Sequence, residues 1–232
     1  DANDPVGTAA TGSAWPSFGI TYYNATGRSV ALVPTAVDNS AQAAANDGGA
    51  GNWDVSGTLY NTSITTLNAA ITALLARGYT PRFKGVLWSQ GEQDGLATST
   101  KTLYKAALQA MIARYRAATI VGPATYPTLP FYIFAIGIDN TGSPTSDFAY
   151  IRDRQQEVVA ADPYTSIVYN GAKDFGSRSL MNGQYHYLQA GYNEMGAVGA
   201  SNIVSAKANT LWQKTSPASG DIYFTEGNAS LG

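Results

Sequence analysis

The sequence contains no cysteine and only one histidine among its 232 residues. The first absence removes disulfides, thiolate nucleophiles and Cys-ligated metals together, and the second rules out a zinc site built from several histidines. Charge is scarce as well: Asp, Glu, Lys and Arg make up 13% of the chain and the net charge is -2. No basic face is therefore available for nucleic acid or an anionic membrane. Long apolar runs are also lacking. Stretches such as Phe131–Ile138 fall far short of a bilayer span. The chain opens on polar, Gly-rich sequence at Asp1 rather than on the pattern of a secretory leader, as a mature or excised domain would.

What is present is an abundance of Ser, Thr, Asn, Gly and Tyr, a composition that suggests a secreted module or one on a virion or cell surface. The length suits a single domain over residues 1–232 with a closed core. Apolar spacing predicts helices and strands in alternation. Trp15 to Thr26 reads as a helix stopped by Gly27, and Ser29–Pro34 as a short buried strand. A loose stretch from Asp38 to Gly57 precedes a helix carrying Tyr60, Ile64, Leu67, Ile71 and Leu74 on one face. Phe83–Trp88 is the next strand, followed by a polar loop from Ser89 to Gly95 and a helix marked by Tyr104, Leu108, Met111 and Tyr115. Phe131–Ile138 reads as a strand covered on both faces. A helix through Phe148, Ile151, Gln155 and Val158, a strand at Ser166–Tyr169, a long loop to His186 and a last helix around Tyr192 and Ile203 complete the pattern. Helices interleaved with buried strands imply an α/β fold: a parallel sheet with helices on both faces and its ligand beyond the carboxyl ends of the strands. The loops after Pro34, Trp88 and Tyr169 are expected to meet there.

The segment Trp88-Ser89-Gln90-Gly91-Glu92-Gln93-Asp94 follows a strand directly and has the form W-x-Q-G-E-x-D. It resembles the sialate O-acetylesterase and carbohydrate acetylesterase branch of the SGNH hydrolases. Further resemblances are Trp15–Phe18 with Thr26–Pro34, the Arg152-x-x-Gln155 pair, and the block Gln184-Tyr185-His186-Tyr187 with Gly191 and Gly196. The resemblance implies a three-layer α/β/α sandwich around a flavodoxin-like, five-stranded parallel sheet. It also implies hydrolysis of an O-acetyl ester on a carbohydrate by a serine nucleophile, with no metal or organic cofactor and no nucleic-acid or membrane partner. The oligomeric state is left open.

Acyl transfer needs a nucleophile, a base and donors aimed at the developing oxyanion. By resemblance, His186 is the base and the Gln90 side-chain amide one oxyanion donor. A backbone N–H at Asp38 or Asn39 is the other, although the family's Gly-Gly-Thr turn is here Asp38-Asn39-Ser40. The family's Asp three residues before the histidine is replaced by Gly183. Glu92 is the favoured residue to orient the imidazole; Asn182, Asp174 or a backbone carbonyl are alternatives, and the competing reading of Glu92 is that it merely caps the following loop. Trp53, Tyr185 and Tyr187 are candidate platforms for a sugar ring, or packing.

The family's serine sits at the end of a central strand, yet the residues before Trp15 contain no apolar run. Only four strands are evident, and the missing one is central. Residues 214–220 read as a linker, after which Ile222-Tyr223-Phe224 resembles the missing strand and Asn228-Ala229-Ser230-Leu231 its Gly-Asp-Ser-Leu turn. A circularly permuted domain with Ser230 as nucleophile restores the strand count. The rival is that residues 221–232 begin another module and the serine lies upstream of Asp1; strict alignment would put Ala229 at the serine position. A different class of function is a non-catalytic carbohydrate-binding or structural module of a phage tail or cell-surface protein that keeps the esterase fold.

Overall fold

The computed structural model describes residues 12–120, 125–143 and 145–215. Three parallel strands, β1 (Val86–Trp88), β2 (Phe131–Phe134) and β3 (Thr165–Tyr169), form one sheet in the order β1-β2-β3. Val86 pairs with Phe131, and Phe131 with Thr165. Around them lie α1 (Trp15–Thr26), α2 (Leu59–Ala76), α3 (Glu92–Leu96), α4 (Tyr104–Ala117), α5 (Phe148–Ala160) and α6 (Gln189–Thr215). A two-stranded antiparallel hairpin, β4 (Met181–Asn182) and β5 (His186–Tyr187), precedes α6.

The period-two alternation of a strand divides the core into two layers. Phe131 and Ile133 of β2 face one cluster, with Tyr60 of α2, Leu108 and Met111 of α4, and Ile151 and Val158 of α5. Tyr132 and Phe134 face the other, with Phe18 of α1 and Tyr192, Met195 and Ile203 of α6. Complete burial of each such side chain contributes about 1.5–3 kcal/mol. Both faces of β2 are thus covered, which accounts for its unbroken apolar sequence. The α1 and α6 helices approach closely because Gly196 has no Cβ; one built there would lie 2.1 Å from the Ala14 carbonyl oxygen.

The helices follow the apolar spacing closely, whereas the strands are shorter than it predicts. β2 leaves its ladder after Phe134, at an irregularity between Ile133 and Phe134, although residues 135–137 remain buried. Ser29–Pro34, expected as a buried strand, pairs with no described residue and is largely exposed; Leu32 packs against the α1/α6 cluster. The physical reason lies in the pairing: among the described residues β1 pairs only with β2, and no described strand stands beside it to receive that segment. Of the five strands expected in the main sheet, three are described. Lys214 and Thr215, expected to open a linker, close α6 instead. The candidate strand at 221–232, with Ser230, lies outside the described residues.

Candidate active site

Three loops leave the carboxyl ends of the strands, as the parallel sheet requires. The loop after β1 turns sharply at Gly91, whose φ is 146° and whose absent Cβ would lie 2.7 Å from Ile151 Cγ2. Only glycine satisfies both the backbone and the space. This turn inserts Gln90 beneath the site and starts α3 at Glu92. Gln90 is held at both ends. Its backbone carbonyl accepts from the Tyr104 hydroxyl at 3.0 Å and from Gln155 Nε2 at 3.1 Å. Its side-chain Nε2 donates to the Ser40 carbonyl at 3.0 Å and to Asp94 Oδ2 at 2.8 Å.

Asp94 is the centre of this arrangement and is fully buried. Besides Gln90 it accepts from the backbone N–H groups of Gln42 at 2.7 Å and Ala43 at 3.1 Å, and from Asn46 Nδ2 at 2.7 Å. Four donors satisfy a carboxylate that has no cationic partner among the described residues, the condition under which such a group tolerates burial. Asp94 thereby ties the 40–46 segment to the loop after β1. Sequence reasoning did not single it out as a site residue, although it is the last fixed position of W-x-Q-G-E-x-D.

The turn expected to supply an oxyanion N–H is formed by Val37 to Ser40, closed by a hydrogen bond from Ser40 N to Val37 O. Asn39 occupies the left-handed conformation at φ 55°, which asparagine tolerates better than most residues and which the family's glycine would adopt freely. Its N–H donates to the Asp38 carboxylate at 2.9 Å. In this conformation the Asn39 N–H and both N–H bonds of the Gln90 amide are engaged by acceptors within the protein.

His186 is carried by the β4–β5 hairpin, where it sits directly opposite Asn182. Gly183 opens the turn with a φ of 80°, so a conformational demand accounts for glycine at the position where an Asp was looked for. The turn is docked on the loop after β2: Asn140 N donates to Gln184 O at 3.0 Å, and Gln184 Nε2 donates to both oxygens of Asp139 at 3.2 Å. Tyr187, the next residue, is buried with its hydroxyl accepting from Gly137 N at 3.0 Å. The Gly137 carbonyl accepts from Arg152 Nη1. Burial, reinforced by the charge of Glu92, pushes the Tyr187 hydroxyl well above its ordinary range, so it stays protonated. Burial also lowers Arg152 from the usual guanidinium value.

His186 Nδ1 is buried without a hydrogen-bond partner among the described residues. No hydrogen bond joins it to Glu92, the residue expected to orient it. Glu92 makes no hydrogen bond or ion pair with any described residue, and its charge acts on Tyr104 and Tyr187. Asp174, an alternative orienter, pairs with Lys173 instead. Two of the expected sugar platforms belong to the packing. Trp53 is 2% exposed, edge-on to Trp88 at 5.0 Å, and donates to Ser40 Oγ; Tyr187 is also 2% exposed. Neither offers a ring face to a ligand. Tyr185 is half-buried beside Phe148, with ring centroids 5.7 Å apart. Among the described residues no three His, Asp or Glu side chains assemble as a metal set. A depression between α4 and α5, lined by Ile112, Arg116, Val158 and Asp162, lies at the opposite, amino-terminal edge of the sheet.

Residues 4–205 match the model of the family described as carbohydrate esterase, sialic acid-specific acetylesterase. No curated protein and no solved structure gives a significant match. The family match spans most of the chain, and the chain belongs to this family of carbohydrate esterases. It ends before residues 221–232, which hold Ser230.

Proposed function

We propose that this carbohydrate esterase hydrolyses O-acetyl esters of sugars by acyl transfer to a serine, with His186 as general base. The observation that carries the reading is the convergence of the Gln90–Asp94 loop and the His186 hairpin at the carboxyl ends of the strands, in a chain of this family. Ser230 is the nucleophile, in a circularly permuted domain whose Asn228-Ala229-Ser230-Leu231 segment resembles the family's serine turn. The serine oxygen attacks the acetyl carbonyl while its proton passes to the imidazole; the imidazolium then protonates the departing sugar hydroxyl, and water reverses the sequence to release acetate. Glu92 contributes negative charge beside the imidazolium, and Tyr185 borders the sugar. The Gln90 amide and the Asp38–Asn39 turn serve as oxyanion donors once substrate displaces the Ser40 and Asp38 acceptors that hold them. The enzyme acts outside the cell or on a virion or cell surface.

A second reading has specific support. Because the Gln90 and Asn39 N–H groups are engaged internally and His186 Nδ1 lacks a partner among the described residues, the same fold serves equally as a non-catalytic carbohydrate-binding module. Labelling with a serine-reactive fluorophosphonate, followed by peptide mapping, separates the two. Modification at Ser230 that disappears in His186→Ala supports the esterase. Absence of labelling in folded protein, with glycan binding retained, supports the binding module.

A further inference from the structure

In a directly opposed antiparallel pair the two side chains project from the same face, with Cβ atoms about 4.5–5.5 Å apart. Asn182 and His186 form such a pair. Nδ1 is the ring nitrogen nearer the backbone, and in His186 it is buried and unpartnered among the described residues. The Asn182 side chain likewise makes no hydrogen bond with a described residue, so an acceptor and a donor of matching reach stand side by side. From this juxtaposition we infer that Asn182 is the positioning residue of His186: its Oδ1 accepts from Nδ1–H, fixing the tautomer in which Nε2 is free to take a proton.

Burial argues the same way. A buried imidazole N–H without an acceptor is costly, and a rotation of the Asn182 side chain supplies the acceptor without moving the backbone. The hairpin is rigid enough for the pair to persist. Its turn is tied down through Asn140 and Gln184, and Tyr187 is hooked to Gly137 on the other face. An amide orients the ring but provides no negative charge for the imidazolium. The charged groups around the hairpin are Glu92 on α3, Asp139 on the loop after β2, Arg152 on α5 and Asp174 on the loop after β3, and none is hydrogen-bonded to the ring. Asn182→Asp would therefore convert a neutral orienter into an anionic one. The inference rests on His186 being the proposed base, but it can be read on the ring itself.

His186 is the chain's only histidine, so long-range 1H–15N correlation of its imidazole in the uniformly labelled full chain is unambiguous. The wild type is expected to show the Nδ1–H tautomer when neutral, and Asn182→Ala to revert to the Nε2–H form preferred by free imidazole. Asn182→Asp should keep the Nδ1–H tautomer. On an acetylated sugar, Asn182→Ala should lose kcat with KM held, and Asn182→Asp should recover it. An Nε2–H ring in the wild type, or a tautomer unchanged in Asn182→Ala, overturns the assignment. Failure of the esterase reading looks different: no turnover by the wild type although the tautomer responds to Asn182 as expected.

Discussion

The side-chain amide of Gln90 donates to the carboxylate of Asp94, four residues further on, at 2.8 Å, so the first and last polar groups of one short motif face each other in the core. The bond explains why the motif needs both residue types. Asp94 accepts from two backbone N–H groups of the 40–46 segment and simultaneously fixes which way the Gln90 amide points. Two loops distant in sequence become one rigid wall.

Removing Asp94 tests that wall. Asp94→Ala would remove the acceptor of four buried donors. Gln90 keeps the Ser40 carbonyl and Asn46 the Thr100 carbonyl, but the Gln42 and Ala43 N–H groups would be stranded. At about 1–3 kcal/mol each, the loss should be about 2–6 kcal/mol. Urea denaturation measures it. A midpoint unchanged from the wild type would show that water or rearranged partners replace the carboxylate.

The Gly91 turn is expected to be equally intolerant. Gly91→Ala places a methyl group 2.7 Å from Ile151 Cγ2 in a left-handed conformation, a strain of roughly 1–3 kcal/mol. Thermal unfolding should show the loss, with esterase activity falling further than stability because the turn aims Gln90 and Glu92.

Tyr187→Phe deletes a single oxygen. The ring still fills the core, but Gly137 N–H loses its acceptor, which should destabilise the protein by about 1–3 kcal/mol. Hydrogen exchange at the Gly137 amide should accelerate in the variant; unchanged protection there would contradict the hydrogen bond.

The hairpin's docking should depend on pH through Asp139. Burial raises its carboxyl, but hydrogen bonds from Thr141 and Gln184 outweigh this and hold it below the usual carboxylate value. A lowered folded value means that the contribution is present above the unfolded carboxyl value and is lost as pH falls through the folded one. Acidification below the ordinary carboxylate range should thus loosen the 183–185 turn, and Asp139→Asn should remove that dependence. Amide exchange of Gln184 and Tyr185 across the acid range checks both.

Much of this architecture is legible in the sequence, for identifiable reasons. Helices with a one-sided apolar face are clear: Trp15 to Thr26 was expected and is observed. Residues 131–134 read as a strand because both faces are covered. Where the sequence misleads, a long-range contact decides. Ser29–Pro34 is apolar enough for a strand but pairs with no described residue, and composition does not reveal that. Trp53 and Tyr187 are aromatic in the right neighbourhood, yet which ring faces solvent depends on packing. The W-x-Q-G-E-x-D spacing locates the site, but that Asp94 rather than Glu92 anchors it follows from the 40–46 segment folding over it. The β4–β5 hairpin is too short for its periodicity to be recognised.

The packing of α1 on α6 also governs how the chain can fold. The second layer of the sheet is built around these two helices, drawn from opposite ends of the described sequence, with Phe175 and Tyr187 packed among them. During synthesis, Phe18 and its neighbours must remain uncovered until α6 has emerged, long after β1 and β2 can pair. Such distant closure makes for slow folding and a sticky half-finished intermediate. A nascent chain halted before α6 would leave the α1-facing side of β2 open, so α6 is the latch that closes this layer.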